Sequence, residues 1–186
     1  MNSEANSLVT QIRFGGVGGQ GIVLAGRLLG KAAALFDGKD AVCTQSYGPE
    51  ARGGASRSDV VISDETVDYP FVIAADVLAV FFQEAYVMFR PGLRPGGLLL
   101  VDDDLVNPRD EKDNFYSVPA TRTAEELGNK MAANVVMLGY LIGATNVVSR
   151  ESVENAIRTT VKPKIVEFNL KALDSGMKLA ESDRAS

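Results

Sequence analysis

Histidine is absent from this 186-residue chain, and cysteine occurs once, at Cys43. The missing imidazole removes the most frequent general base near neutral pH, the central member of the usual nucleophilic triads and the commonest metal ligand. One thiol can form no internal disulfide and cannot supply the four thiolates of an ordinary iron–sulfur cluster. Basic clusters are missing as well. The 19 Lys and Arg are scattered against 24 Asp and Glu, for a net charge of −5, which argues against a sequence-independent hold on nucleic acid. No stretch approaches the roughly 18 consecutive apolar residues of a membrane span. The opening MNSEANSLVTQ has neither the basic stretch nor the apolar core of a signal peptide, so residues 1–11 read as a disordered tail. These gaps point to a soluble, cytoplasmic protein with no membrane or nucleic-acid partner, no metal site and no catalytic residue of its own.

What is present is enough for one core. With 46% hydrophobic residues, the chain is long enough for a single domain over residues 12–182 and too short for two. An apolar run at 12–14 enters a glycine cluster, and 22–36 is helical in pattern, with Ile22, Ala25, Leu29, Ala32 and Phe36 on one face and Gly38 as a C-cap. This is the strand, turn and helix of a βαβ unit. Gly26 and Gly30 lie four apart on that helix, a spacing that implies close packing against another backbone, since each costs about 1 kcal/mol relative to Ala. Further strands read at 41–46, 59–62, 75–81 and 98–101, a short helix at 83–89, and an edge strand at 116–118. Unbroken apolar runs indicate strands covered on both faces. Helices follow at 124–127, 131–144, 152–160 and 165–180, with Ser149 as an N-cap and Pro163 in a first turn. The predicted architecture is α/β: a three-layer α/β/α core with a mostly parallel or mixed sheet, a Rossmann-like start and a helical C-terminal half.

The cluster GGVGGQGIVLAG at 15–26 fits G-x-G-x-x-G through Gly16, Gly18 and Gly21. Such glycines turn the backbone tightly and aim free N–H groups at a ligand from a helix N-terminus. A dinucleotide site also expects an acidic residue about 20 residues on, at the end of the second strand. Here that strand ends in Thr44, Gln45 and Ser46, while Asp37 and Asp40 precede it. The glycines therefore serve either an anion or partner contact, or only close strand-to-helix packing.

The segment TQSYGPEARGGASRSDVVIS at 44–63 places Glu50, Arg52 and Arg57 in a glycine-rich loop. Guanidinium forks hold carboxylate or phosphate in bidentate pairs, so the loop suits an acidic partner or an acyl carrier's phosphates; an internal pairing of Glu50 with Arg52 or Arg57 is the alternative. Both segments should lie outside the carboxyl ends of parallel strands, where open α/β sheets bind ligands. Cys43, in an apolar strand, reads as a small buried hydrophobe. Asp102, Asp103 and Asp104 read as a solvated strand end with a helix-capping aspartate, although three carboxylates could in principle hold a divalent cation.

Taken together, GGVGGQGIVLAG, TQSYGPEARGGASRSDVVIS, NVVMLG and the late NLKAL, in that order, resemble the gamma subunit of 2-oxoacid:ferredoxin oxidoreductases, from about Ile12 to Ala180. The loop, with DYP at 68–70, is most similar to the 2-oxoglutarate branch. The resemblance implies a multisubunit enzyme in which thiamine diphosphate with Mg attacks the keto carbon, CO2 leaves, 4Fe-4S clusters pass electrons to ferredoxin, and CoA takes the acyl group as co-substrate. It assigns those cofactors to alpha, beta and ferredoxin-like delta partners and none to this chain, which would supply docking and CoA-side surface. By match to the motifs, the site residues would be Gly16, Gly18, Gly19, Gln20 and Gly21 in one element, and Ser46, Tyr47, Gly48, Pro49, Glu50, Arg52, Gly53 and Gly54 in the other. Arg52 would pair with a carboxylate or phosphate and Tyr47 would pack at a subunit boundary. The competing reading is a free-standing dinucleotide-binding oxidoreductase or sensor.

Overall fold

Strict alternation along the first strand decides how the molecule is layered. In β1 (Thr10–Val17), Ile12 and Phe14 enter one apolar cluster, while Arg13 and Gly15 face the other side of the sheet; a period of two puts successive side chains on opposite faces. The computed structural model describes residues 9–46, 54–108 and 115–185. It adds α1 (Ile22–Lys31), β2 (Asp40–Ser46), β3 (Ala55–Ser63), β4 (Ala75–Val80), α2 (Gln83–Phe89), β5 (Leu93–Asp102), β6 (Phe115–Val118), α3 (Ala120–Glu126), α4 (Ala133–Thr145), α5 (Arg150–Arg158) and α6 (Val166–Arg184). The sheet order is β2-β3-β1-β4-β5-β6. β1, β4, β5 and β6 pair in parallel, whereas β3 runs antiparallel to both β1 and β2.

The mixed α/β architecture expected from sequence is thus present, with one refinement at its start. β2 runs in the same direction as β1, as a βαβ unit requires, but β3 is inserted between them. α1 crosses over that inserted strand. Where a Rossmann sheet has a parallel neighbour ending beside the glycine loop, this sheet has the beginning of β3, at Ala55 and Ser56 opposite Val17 and Gly16.

Several boundaries shift for local reasons. β1 begins at Thr10 and not at 12. The first helix does run to Phe36, but Ala32–Phe36 is a π-helical turn. The wider turn breaks the 3.6-residue phase, so Phe36, expected on the buried face, is 38% exposed. Gly38 has φ +66° and ends that turn as anticipated. β5 starts at Leu93, inside the segment read as a breaker, because a register shift between Ala75 and Val77 absorbs Arg94 to Gly97 as a bulge. α3 starts at Ala120, directly after Pro119. Ser149 caps α5 by accepting from the Ser152 N–H.

Cys43 corrects an expectation: it is exposed. β2 is an edge strand with β3 as its one neighbour, so its residues lack the second flank that buries a central strand. Burial against α1 still pushes the thiol pKa up, which leaves it a poor nucleophile.

The helical half supplies a glycine seam that periodicity alone did not reveal. α4 is apolar nearly all round, buried from Ala133 to Gly143, as a helix enclosed by other elements must be. A Cβ at Gly139 would collide with the Leu173 carbonyl, and one at Gly176 with the Val136 carbonyl. α4 and α6 therefore touch backbone to backbone. Gly26, by contrast, makes room for the Ser58 side chain, while a Cβ at Gly30 would meet Cys43 at an ordinary 3.6 Å; the closeness expected on α1 holds at Gly26 and is to a side chain of the sheet.

Candidate functional site

The glycine loop is held by two amide side chains, one inside the motif and one far from it. Gln20 Oε1 accepts from the Val17 N–H at 2.8 Å and its Nε2 donates to the Phe81 carbonyl at 2.6 Å, tying the loop across the ends of β1 and β4. Gly19 (φ +96°) and Gly21 (φ +74°) take left-handed backbone that a side chain would strain. Asn134, 2% exposed on α4, donates through Nδ2 to the Gly21 carbonyl at 2.9 Å. Gly16 must be glycine for another reason: a Cβ there would stand 2.6 Å from Gln20 Oε1 and 2.9 Å from Ile22. Gly16, Gly18, Gly19, Gln20 and Gly21 thus form one built turn.

Gly21 is the N-cap of α1 and offers no side-chain cap. The first helical N–H groups, on Ile22, Val23 and Leu24, have no intrahelical acceptor and point out of the helix end. They open onto a cavity of roughly 440 Å³ lined by Gly18, Gly19, Arg27 and Ser56. Ser56 is 6% exposed and its hydroxyl has no partner among the described residues. A helix N-terminus, a guanidinium and a free hydroxyl around one cavity favour an anion. On the other side of the turn a second cavity, roughly 330 Å³, lies between Gln20, Phe81, Thr121, Glu125, Lys130 and Met131.

Of the second motif, Ser46 ends β2 opposite Arg57 and Gly54 precedes β3, whose first residue sits opposite Val17. Tyr47, Gly48, Pro49, Glu50, Arg52 and Gly53 lie outside the described residues. The described flanks, Ser46 and Ala55, lie at the same end of the sheet as the glycine turn, with Ser46 two strand spacings, about 10 Å, from β1. Arg57 Nε lies 3.6 Å from Asp59 Oδ2.

The acids that a nucleotide or a metal would need are committed elsewhere. Asp37 accepts from the Ser149 N–H (2.8 Å), Ser149 Oγ (2.7 Å) and Ser152 Oγ (2.8 Å), joining the end of the first helix to α5. Slight burial acts against its charge, but these bonds and Lys39 hold its carboxyl below the ordinary 3.8. Asp40 accepts from the Val67 N–H. Asp103 and Asp104 are exposed, as a solvated strand end requires, whereas Asp102 is fully buried, a correction to that reading, and is the one that caps: it accepts from Thr121 N–H (3.2 Å) and Oγ1 (2.7 Å) at the start of α3. Burial raises its carboxyl pKa. Asp103 and Asp104 both pair with Arg122. The carboxylate group at 102–104 is the one cluster of that kind among the described residues, and its oxygens are taken by protein donors. With a single cysteine besides, these residues do not fit a metal-bound diphosphate or an iron–sulfur cluster. A dinucleotide fares no better, because the strand beside β1 presents Ala55 and Ser56 where a ribose-binding acid would stand.

Sequence reasoning found the glycine turn but missed Asn134, Ser56 and Arg27. Asn134 was legible in principle, as the one amide opening an otherwise apolar helix. Ser56 and Arg27 became visible once β3 proved to lie beside β1.

Among the described residues no helix is long and apolar enough to cross a membrane. A profile of the pyruvate ferredoxin/flavodoxin oxidoreductase family matches residues 11–179. The 2-oxoglutarate synthase subunit KorC of Methanocaldococcus jannaschii is 50% identical over 97% of this chain and 99% of its own length. The keto/oxoacid ferredoxin oxidoreductase gamma subunit of Geobacter sulfurreducens superimposes with a TM-score of 0.83 at 42% identity, covering 93% of this chain and 99% of that one. The 2-oxoglutarate:ferredoxin oxidoreductase of Magnetococcus marinus, solved with 2-oxoglutarate, coenzyme A and succinyl-CoA bound, gives 0.79 at 25% identity over 94% of this chain but 31% of its own. With a committed set of acids, one thiol and a match of this extent, the chain belongs to the pyruvate ferredoxin/flavodoxin oxidoreductase family, as one of its gamma subunits.

Proposed function

We propose that this chain serves a 2-oxoglutarate:ferredoxin oxidoreductase, which converts 2-oxoglutarate and CoA to succinyl-CoA and CO2 while ferredoxin takes up the electrons. The observation that carries this reading is the end-to-end match to a 2-oxoglutarate synthase subunit, 97% of this chain against 99% of that one. Residues 12–182 act as one domain within a cytoplasmic complex of alpha, beta and delta partners. Those partners hold thiamine diphosphate, Mg and the 4Fe-4S clusters, and supply the carbanion chemistry and electron transfer.

This chain contributes shape and charge on the CoA side. CoA is polyanionic, and the N-terminus of α1 with Arg27 and Ser56 offers a phosphate the donors it needs. Gln20 and Asn134 fix the turn beforehand, so the N–H groups need not reorganise as the ligand arrives. Arg52, on the neighbouring loop, adds a second fork for phosphate or for a partner's carboxylate, and Tyr47 packs at the subunit boundary.

The test uses the assembled complex with Arg27→Glu. Loss of one charge-assisted contact should raise the KM for CoA about tenfold or more, with the KM for 2-oxoglutarate unchanged. Arg52→Glu should raise the CoA KM or weaken assembly. CoA kinetics indifferent to both changes would remove the two loops from the ligand site.

A further inference from the structure

The sheet face lined by Leu78, Val80, Leu99 and Val101 is covered by the seven-residue α2 and residues 64–74. This thin cover carries large apolar groups on its outside: Tyr69, Phe71, Ile73, Val87 and Met88, with Ile73 at 72% exposure. Their exposure is not the result of a loose backbone. The Ile73 N–H donates to Gln11 Oε1 at 2.8 Å, and Val72, itself buried, receives Arg13 Nη2 on its carbonyl at 3.3 Å. Tyr69 and Phe71 pack edge to face at 5.5 Å. Arg13 is gripped beneath them by the buried Asp59 through Nε (2.7 Å) and Nη2 (2.8 Å), and its guanidinium lies 5.6 Å from the Phe89 ring on α2. One buried cation therefore anchors both the loop and the helix. Apolar side chains held outward on a pinned backbone form a preorganised contact surface.

The rim of this surface is acidic. Glu65, Asp68 and Glu84 are exposed, with no cationic partner among the described residues. On the outer surface of the helical side Arg150 pairs with Glu154 and Asp174, and Lys178 with Asp174.

We propose that the face formed by α2 and residues 64–74 docks onto the partner subunit that corresponds to the rest of the Magnetococcus polypeptide. The match spans 31% of that molecule and 99% of the separate KorC subunit, so the remainder of the Magnetococcus polypeptide is the natural occupant of this face. The partner presents an apolar patch bordered by Lys and Arg. A second copy of this chain is the poorer occupant, because symmetric packing would set acid rim against acid rim on molecules that each carry a net charge of −5. The inference rests on the oxidoreductase reading above.

The experiment compares the tagged wild-type chain with the double variant Ile73→Asp, Met88→Asp, each co-expressed with its oxidoreductase partners. Both residues are exposed, so thermal melts of the isolated chains should coincide. Recovery of partner should fall about tenfold or more in the variant, and hydrogen exchange in the wild-type complex should slow over α2 and residues 64–74. Undiminished recovery, unaltered exchange at these segments, or an effect confined to self-association in sedimentation overturns the assignment. A wild-type chain that recovers no oxidoreductase subunit overturns the functional reading itself, and this face with it.

Discussion

The two faces of the sheet are built on opposite plans. One is buried under α1, α3, α4, α5 and α6, and its helices meet so closely that Gly139 and Gly176 admit no side chain. The other rests on α2 and one loop, and shows water more apolar surface than its own small cluster requires. The difference separates two tasks within one short chain. The helical face holds most of the buried apolar contacts, while the thin face rests on a small cluster and one buried ion pair and leaves apolar groups exposed.

Substitutions can break or sharpen that contrast. The largest effect is expected at the helical seam. Gly176→Ala would drive a Cβ into the Val136 carbonyl and Tyr140 N–H, so the helices must part; the cost should reach about 3–4 kcal/mol in urea unfolding, enough to unfold a marginal domain. Gly18→Ala, with open space around its Cβ, should change the midpoint little. Leu138→Ala, fully buried on the same side, should cost about 2–4 kcal/mol, whereas Met88→Ala on the thin face should stay within about 0.5 kcal/mol. Equal losses at Leu138 and Met88 would erase the distinction between the faces.

Arg13→Ala probes the thin face at its anchor. It leaves Asp59 buried without its main partner, and the loss should be about 2–3 kcal/mol, less than for a wholly isolated charge because Arg57 Nε remains 3.6 Å away. Proteolysis should then find residues 64–74 first. The smallest effect is expected at Asp37→Asn, below about 1 kcal/mol, since the site is partly exposed. Its sign with pH is fixed: a carboxyl held lower in the folded state contributes above its unfolded pKa near 3.8, and the contribution fades as pH falls through the folded value. The stability gap between wild type and variant should therefore close in acid; a gap that widens there would contradict the Ser149 and Ser152 bonds.

Much of this was legible in the sequence because the signals were local. A short apolar run before the glycines marked β1, Gln83–Phe89 read correctly as α2, and Ser149 announced α5. The glycine turn was visible for the same reason, since left-handed backbone at Gly19 and Gly21 selects glycine whatever surrounds it. Phe36 was missed for a local reason, the π-helical turn, but the larger misses depended on strand order. Nothing local says that β3 returns between β1 and β2, so neither the exposure of Cys43 on an edge strand nor the arrival of Ser56 beside the turn could be read beforehand. The coverage of the faces was hidden likewise. An unbroken apolar strand predicts two covered faces, but cannot say that one cover is five helices and the other a short helix and a loop.

The most direct test of the account is an omission assay. Purified partner subunits and this chain would be assayed separately and together for CoA-dependent, 2-oxoglutarate-driven reduction of ferredoxin. The account predicts no turnover by this chain alone, and CoA-dependent turnover when it rejoins its partners, with the CoA KM set by Arg27. Oxidation of the keto acid by the unaccompanied chain, or full CoA-dependent activity of the partners without it, would contradict it.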